Sequence, residues 1–407
     1  TAGRRPGRRR AVQGPLDADA ILAHRNYFTS DWKDDGQVGW LDGIGADLYR
    51  GHGRLTGPRT VAVGDKVLTA RHAVAVCTGT RAVLPDLPGL AEVGPWTSRE
   101  ATSAQSVPGR LVVVGGGVVA TEMATAWQAL GSQVTLLVRG KGLLNRMEPF
   151  AGELVAEALT AAGADVRTGT SVKSVTRADG TVVVVTDTGD RIEADEILFA
   201  TGRAPRTDDL GLDTVGLQPG SWLPVDDSLR VTGSEWLYAV GDVNRRALLT
   251  HQGKYQARIA GAAIAARASG ATDLDAGPWG AHAATADHAA VPQVVFTDPE
   301  AAAVGLSLAE AEQAGHRVRA VDVDLSSVAG AGLYGEGYKG RARMVVDLEE
   351  EILRGVTFVG PGVGELIHSA TVAVAGQVPI ARLWHAVPSY PTISEVWLRL
   401  LEAFRDN

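Results

Sequence analysis

The chain has 407 residues, of which 45% are hydrophobic, and a formal net charge of −8 at pH 7. This length is enough for two or three packed domains, and the hydrophobic content is ordinary for a globular protein. The acidic balance argues against a general affinity for nucleic acid, and no apolar run approaches the roughly 20 residues that cross a bilayer. We therefore expect no nucleic-acid partner and no membrane segment.

Cysteine usage limits the chemistry further. Cys77 is the only cysteine, so this chain can hold no internal disulfide, CxxC redox pair or thiolate metal cluster. The nine histidines do not fall at metal-ligand spacing, and we expect no metal site. The single cysteine also favours a cytoplasmic location.

The first clear structural pattern begins after Arg110. Residues 111–114, LVVV, form the short β-branched apolar run that a buried parallel strand needs. Residues 121–131 have helical periodicity, and residues 133–138 predict a second strand. The helix face expected to be buried consists of Met123, Ala126, Trp127 and Leu130. Strand, glycine turn, helix and strand together predict one βαβ unit.

The glycine turn of this unit, GGGVVA, predicts a dinucleotide site. Gly115 permits the tight turn after the strand, and Gly117 lets the backbone come close to a pyrophosphate. The small Ala120 lets the helix pack on the strand. The phosphates would lie at the helix N-terminus, where free N–H groups and the helix dipole favour negative charge.

The residues after the second strand bear on the choice of nicotinamide nucleotide. An NAD-specific strand usually ends in a carboxylate that binds the ribose hydroxyls. Here Arg139 follows the strand, with Lys141 and Arg146 soon after, and these cations could pair with a 2′-phosphate. NADPH is therefore favoured over NADH, although solvated surface charges would give the same pattern.

Later segments suggest further domains. Strands near Val182 and Glu196 would close the nucleotide domain. The segment LYAVGD places Asp242 at the end of a strand, where it could accept a hydrogen bond from a ribityl or ribose hydroxyl, and a helix follows over 250–268. Structural roles for these residues are equally compatible with the pattern. Residues 269–290 are interpreted as a linker, and an α+β domain follows.

Five motifs together carry a family resemblance: CTGTRAVLPDLPG, GGGVVATEMA, ATGRAPRTDDLGL, YAVGDVNRRALLT and VVFTDPEAAAVGLSLAEA. They resemble the pyridine nucleotide–disulfide oxidoreductases, the family of glutathione reductase, dihydrolipoamide dehydrogenase and mercuric reductase. The resemblance implies an α/β fold with two dinucleotide-binding (Rossmann-like) domains and a C-terminal α+β dimerisation domain. The expected boundaries are 1–108 and 206–285 for FAD, 109–205 for NAD(P)H, and 290–407 for dimerisation.

The resemblance also implies a function and a set of site residues. A homodimer would pass hydride from NADPH to FAD and on to a small acceptor, namely a quinone, another electrophile, oxygen or a disulfide. Glu122 would lie beside the flavin. The residues expected near FAD are Thr78 and Gly79 of the first TG motif, Gly202 of the second, Gly241, Asp242, Leu249 and Thr250. Cys77 occupies a position where a small residue packs, without a redox role.

The sequence departs from the family at its start. The GxGxxG for the ADP half of FAD, the CxxxxC disulfide and the nearby lysine are not found in these 407 residues. We prefer the explanation that residues preceding Thr1 supply them, which agrees with a first residue other than Met. The alternative is a protein that has lost half of its FAD site. Such a protein would be a non-redox descendant of the fold that binds a nucleotide or small molecule.

A second departure lies in VPSYPTISE, residues 387–395. Disulfide-reducing members have a histidine before Pro-Thr and a glutamate five residues on that orients it as the acid–base. This chain keeps the interval but has Tyr390 and Glu395, and a phenol with a reference pKa of about 10 cannot cycle protons at neutral pH. Tyr390 is expected to shape a substrate pocket across the dimer or to pack at its interface. His251 is a candidate substitute base.

Overall fold

The computed structural model describes residues 16–406, so the first fifteen residues of the predicted FAD segment and residue 407 lie outside the description. The strands are β1 Gly53–Gly57, β2 Thr60–Val63, β3 Lys66–Thr69, β4 Val74–Val76, β5 Thr80–Ala82, β6 Arg110–Val114, β7 Gln133–Val138, β8 Asp165–Thr168, β9 Val172–Ala178, β10 Thr181–Thr186, β11 Arg191–Ala194, β12 Glu196–Phe199, β13 Arg203–Pro205, β14 Leu237–Ala239, β15 Gln293–Val295, β16 Glu300–Gly305, β17 Val318–Asp324, β18 Arg341–Asp347 and β19 Leu353–Gly360. The α-helices are α1 Ala18–Phe28, α2 Asp35–Gly43, α3 Leu90–Val93, α4 Ser98–Ser103, α5 Val118–Ala129, α6 Pro149–Ala161, α7 Thr250–Ala268, α8 Ala286–Ala289, α9 Leu308–Gln313, α10 Ala329–Tyr334, α11 Val363–Ala375, α12 Ile380–Leu383 and α13 Val396–Asp406.

The chain divides into two compact units. The first is formed largely by Leu84–Thr201 and Ala289–Asn407, and the second by Ala20–Val83 and Gly202–His288. Each unit combines segments that are distant in sequence, as expected when one domain is inserted into another.

In the first unit, a parallel sheet of order β12-β6-β7-β8 carries the predicted βαβ unit. Val112, Val113 and Leu137 are almost fully buried, because the strands of a parallel sheet are covered on both faces. An antiparallel sheet of order β11-β10-β9 adjoins it, and its Val182 and Val184 enter the same core.

The C-terminal part of the first unit is a five-stranded antiparallel sheet of order β15-β16-β19-β18-β17. Helices α11 and α13 cover it, since Ile367 of α11 and Leu400 of α13 share a core with Met344 and Phe358 of the sheet. This is the α+β arrangement that the sequence predicted for the C-terminal region.

The second unit is built from smaller sheets. β1, β2 and β3 form an antiparallel meander, β4 pairs in parallel with β14, and β5 pairs with β13. Leu55, Val76, Leu212 and Leu237 share one core, while Ala260 of α7 packs near Tyr238. The parallel pairing brings the end of β14 beside the end of β4, so the chain leaves both strands at one edge.

Helix α5 differs from its prediction in start and in buried face. It begins at Val118, and its buried residues are Ala120, Thr121, Ala124 and Trp127. Ala126, predicted to be buried, is exposed, and Met123 and Leu130 are partly exposed. Alanines spaced by four residues face the sheet, which lets the helix lie close to β6.

The predicted linker over 269–290 is also wrong in part. It contains α8, and Ala283, Ala284 and Asp287 are buried. The Ala284 N–H donates to the Asp227 carbonyl at 2.8 Å. Small alanine side chains allow this segment to pack, although its composition is typical of a loop.

Within residues 16–406, no helix has the length and apolar content needed to span a membrane. Within the same residues, histidine, cysteine, aspartate and glutamate side chains do not gather in groups of three that could hold a metal ion.

Candidate nucleotide-binding sites

Gly115, at the end of β6, has a conformation and surroundings that exclude a side chain. Its φ of 136° lies where side-chain-bearing residues are rare. A Cβ there would lie 2.5 Å from the Ala200 carbonyl oxygen and 3.4 Å from the Ala120 Cβ. The close approach of α5 to the strand therefore depends on this glycine.

Gly117 is the N-cap of α5, and the absence of a side chain there has a different explanation. Its φ is −90°, and a Cβ built on it meets no atom within 4 Å. The space in front of it is open, and the first N–H groups of a helix have no partner within the helix. The two glycines thus form a backbone cradle at a helix N-terminus that fits a pyrophosphate.

The loop after β7 carries the three cations singled out in the sequence. Arg139, Lys141 and Arg146 are exposed, and across the described residues none of them makes an ion pair. Glu148, the first carboxylate after the strand, is buried and accepts hydrogen bonds from Leu308 N and Arg343 Nη1, each at 2.7 Å. Positive charge in this loop is therefore not neutralised by that carboxylate.

Glu122 lies on α5 in a half-buried position. Its Oε1 accepts a hydrogen bond of 2.9 Å from the Phe296 backbone N–H. Burial raises the pKa of Glu122, and the Phe296 N–H acts in the opposite direction. The carboxyl group links α5 to the start of the C-terminal sheet within the first unit.

In the second unit, the pairing of β5 with β13 brings the residues that follow the two TG motifs together. Gly79 and Gly202 both have positive φ, at 67° and 146°, and Arg206 N donates to Gly79 O at 3.0 Å. Thr78 is exposed beside Gly79. The two TG motifs are therefore brought close together by the pairing of β5 with β13, which sequence periodicity alone did not predict.

Asp242 is held in this neighbourhood by two residues that the sequence reasoning missed. Thr80 Oγ1 donates to Asp242 Oδ2 at 2.6 Å, and Arg203 Nε donates to Thr80 Oγ1 at 2.5 Å. Arg203 Nε also lies 3.7 Å from Asp242 Oδ2. The sequence does contain a signal for these two residues, because each is a polar residue that directly follows a TG pair.

The loop from Gly241 to Thr250 has an open side. Gly241 has φ 79°, and a Cβ on it or on Gly79 would meet no atom within 4 Å. Asp242 Oδ1 has no hydrogen-bond partner in the described part of the chain. A free carboxylate oxygen beside open backbone fits the hydroxyl-bearing part of FAD. Leu249 precedes α7, and Thr250 and the exposed His251 form its first turn.

Tyr390 and Glu395 are placed differently from one another. The Tyr390 side chain is 77% exposed. Glu395 is 9% exposed, and its Oε2 lacks a hydrogen-bond partner within residues 16–406. An unsatisfied buried carboxylate oxygen is costly, so this atom is positioned for a further partner.

Comparison with known proteins identifies the family. Residues 25–268 match the sequence profile described as pyridine nucleotide-disulphide oxidoreductase, and residues 291–400 match the dimerisation domain of the same family. The chain belongs to the pyridine nucleotide-disulphide oxidoreductases. The resemblance inferred from the motifs is confirmed, and so are the predicted fold class and the assignment as a flavoprotein oxidoreductase.

Individual members of the family are similar over most of the chain. Mercuric reductase from Acidithiobacillus ferrooxidans is 34% identical over 95% of this chain and 68% of its own length. Dihydrolipoyl dehydrogenase from Thermus scotoductus is 33% identical over 90% and 77%, and glutathione reductase from Burkholderia cepacia is 31% identical over 95% and 86%. The chain spans 58% of the mercuric reductase from Bacillus cereus.

Solved structures agree on the fold. The HOCl-induced flavoprotein disulfide reductase RclA from Escherichia coli has a TM-score of 0.82 at 21% identity, covering 95% of this chain and 86% of that chain. LpdA from Mycobacterium tuberculosis has a TM-score of 0.79 at 24% identity, covering 97% and 85%. At these identities the similarity concerns the fold alone.

Proposed function

We propose that this pyridine nucleotide-disulphide oxidoreductase is an FAD-dependent enzyme that passes hydride from NADPH to the flavin and on to a small acceptor. The observation that carries the proposal is the loop after β7. Its Arg139, Lys141 and Arg146 are exposed and have no charged partner in the described residues, beside an intact glycine cradle. Such cations bind a 2′-phosphate by charge-assisted hydrogen bonds, so they favour NADPH over NADH.

The flavin end of the proposal rests on the second unit. FAD, when bound, supplies the ring system that accepts the hydride. Asp242 Oδ1 would accept a hydrogen bond from a hydroxyl group, while Thr80 and Arg203 fix the other carboxylate oxygen. Thr78, Gly79, Gly202, Gly241, Leu249 and Thr250 would contribute the surrounding backbone, and Glu122 would lie beside the flavin, as the family resemblance implies.

Tyr390 guides the choice of acceptor. It stands where disulfide-reducing members of the family have their acid–base histidine, which favours a quinone, another small electrophile or oxygen over a dithiol substrate. The exposed Tyr390 and the unsatisfied Glu395 oxygen support a homodimer in which a partner subunit covers them. His251, in the first turn of α7, remains our candidate for a substitute base.

An anaerobic titration tests this function. The purified protein, supplemented with FAD, should show flavin absorption that NADPH bleaches at roughly one equivalent per flavin, with NADH requiring at least tenfold higher concentration for the same effect. Bleaching by NADH at the same concentration would remove the NADPH assignment. Protein that binds NADPH but stays colourless after FAD is added would support the alternative, a non-redox descendant of the fold.

A further inference from the structure

A buried hydrogen-bond chain lies behind the Gly241–Asp242 loop. The Asp287 side chain of α8 is buried, and its two oxygens accept from Gln252 Nε2 and Gln256 Nε2 of α7, each at 2.9 Å. Gln256 Oε1 in turn accepts from Gly241 N and from Asn244 Nδ2, each at 2.8 Å. Asp287 is thus connected to the loop through a single amide group.

This arrangement fixes the orientation of the Gln256 amide. An amide has one acceptor end and one donor end, and the loop presents only donors to Gln256. Both oxygens of Asp287 accept hydrogen bonds, so the donor end of Gln256 faces this side chain. If the amide turned over, Nε2 would face the Gly241 N–H and the Asn244 Nδ2, and both donors would lose Gln256 as their acceptor, which is costly.

The groups around Asp287 act on its pKa in opposite directions. Burial raises the pKa of Asp287 above its ordinary range, and Arg246 and the two amide donors offset part of that rise. Arg246 Nη1 lies 3.9 Å from Asp287 Oδ2, and Arg246 Nη2 binds Asp227 Oδ1 at 2.9 Å. The guanidinium therefore supplies the positive charge that this buried carboxylate needs.

We propose that Asp287 is a positioning residue of the flavin site, which orients Gln256 and thereby holds the Gly241–Asp242 loop in its binding conformation. The ligand named here rests on the function proposed above, whereas the effect on the loop can be measured without a ligand. Asp287 touches no cofactor. It acts through Gln256, which is why a segment that resembles a linker contributes to the site.

Single variants should loosen the loop in two ways. Gln256→Glu places a second carboxylate against Asp287 and should weaken FAD affinity roughly tenfold or more. Asp287→Leu removes the acceptor for both glutamines and should have a similar effect. Asp287→Asn should be mild, because Gln252 Oε1 makes no hydrogen bond in the described residues and that amide can turn over to match.

The double variant Asp287→Asn with Gln256→Glu gives the sharpest test. The new amide at position 287 would accept from Gln252 through its oxygen and donate through its nitrogen to the new carboxylate at position 256. That carboxylate would still accept from Gly241 and Asn244. Affinity should return to within about threefold of wild type, a difference worth less than about 0.7 kcal/mol. Asp273→Asn, at an exposed aspartate of the same segment, is the matched control and should match wild type.

Two readouts separate this inference from the proposed function. FAD affinity is measured by flavin fluorescence, and amide hydrogen exchange of residues 239–245 is measured without FAD. Wild-type protein that binds no FAD refutes the proposed function, but faster exchange in Gln256→Glu that the double variant reverses still supports the inference. Equal exchange in wild type and Gln256→Glu, or a double variant as impaired as Gln256→Glu, overturns the inference.

Discussion

The glycine cradle in front of α5 contains two glycines that are needed for different physical reasons. Gly115 is required by the protein itself, because its φ and the nearby Ala200 oxygen leave no space for a Cβ. Gly117 has ordinary backbone geometry and open space, so the protein alone would tolerate a methyl group there. The absence of a side chain at Gly117 therefore indicates a ligand that lies close to the backbone.

Alanine at each position should separate these reasons. Gly115→Ala should lower the free energy of unfolding by about 2 kcal/mol or more, since it adds a strained φ and a clash. Gly117→Ala should change it by less than about 0.5 kcal/mol but weaken NADPH binding roughly tenfold or more, because the methyl group occupies the phosphate position. Urea unfolding and fluorescence titration with NADPH provide the measurements. A Gly117→Ala protein with unchanged NADPH affinity would contradict the assigned cradle.

Among the elements, the βαβ unit was predictable because its signals are local. A β-branched run, a glycine turn and helical spacing specify β6, α5 and β7 within thirty or so residues. The buried face of α5 was not predictable from hydrophobicity, because its alanines pack by being small and Ala126 faces outward. Hydrophobic patterns predict that large apolar residues form the core, whereas the close contact between α5 and β6 is made by small alanines.

The second unit shows the limit of such reasoning more clearly. The motifs identified Asp242 and Gly79, but the Thr80 and Arg203 contacts arise from the pairing of β5 with β13, across more than a hundred residues. Asp287 was assigned to a linker for the same reason, since its partners lie on α7. Contacts between distant segments leave no periodic pattern in the sequence.

The loop after β7, which carries Arg139, Lys141 and Arg146, should determine which nicotinamide nucleotide binds. Replacing Arg139 and Arg146 together by alanine should weaken NADPH binding on the order of 100-fold, since charge-assisted hydrogen bonds to a phosphate are lost. NADH binding should change less than about twofold, because NADH has no 2′-phosphate. Arg191→Ala, at an exposed arginine of the same unit, is the control. An equal loss of affinity for NADPH and NADH would show that the loop does not distinguish the two nucleotides at the 2′ position.

On the scale of the whole molecule, Glu148 connects the nucleotide-binding sheet with the C-terminal sheet inside the first unit. It precedes α6, is buried, and accepts from Leu308 N and Arg343 Nη1. Arg343 also binds Asp322 at 2.7 Å and lies over the Phe150 ring. These contacts help to hold two domains that are far apart in sequence together in one compact unit.

Removing this carboxylate should therefore weaken the coupling between the two domains. Glu148→Ala leaves the Leu308 N–H without its acceptor and Arg343 with one carboxylate fewer, so we expect a loss of about 3 kcal/mol. Glu148→Gln keeps an acceptor and should lose less. Glu153→Ala, one turn further along α6 at an exposed position, is the matched control. Calorimetry should show a lower unfolding temperature for Glu148→Ala than for wild type or Glu153→Ala. An unchanged transition in that variant would mean that apolar packing, and not Glu148, joins the two domains.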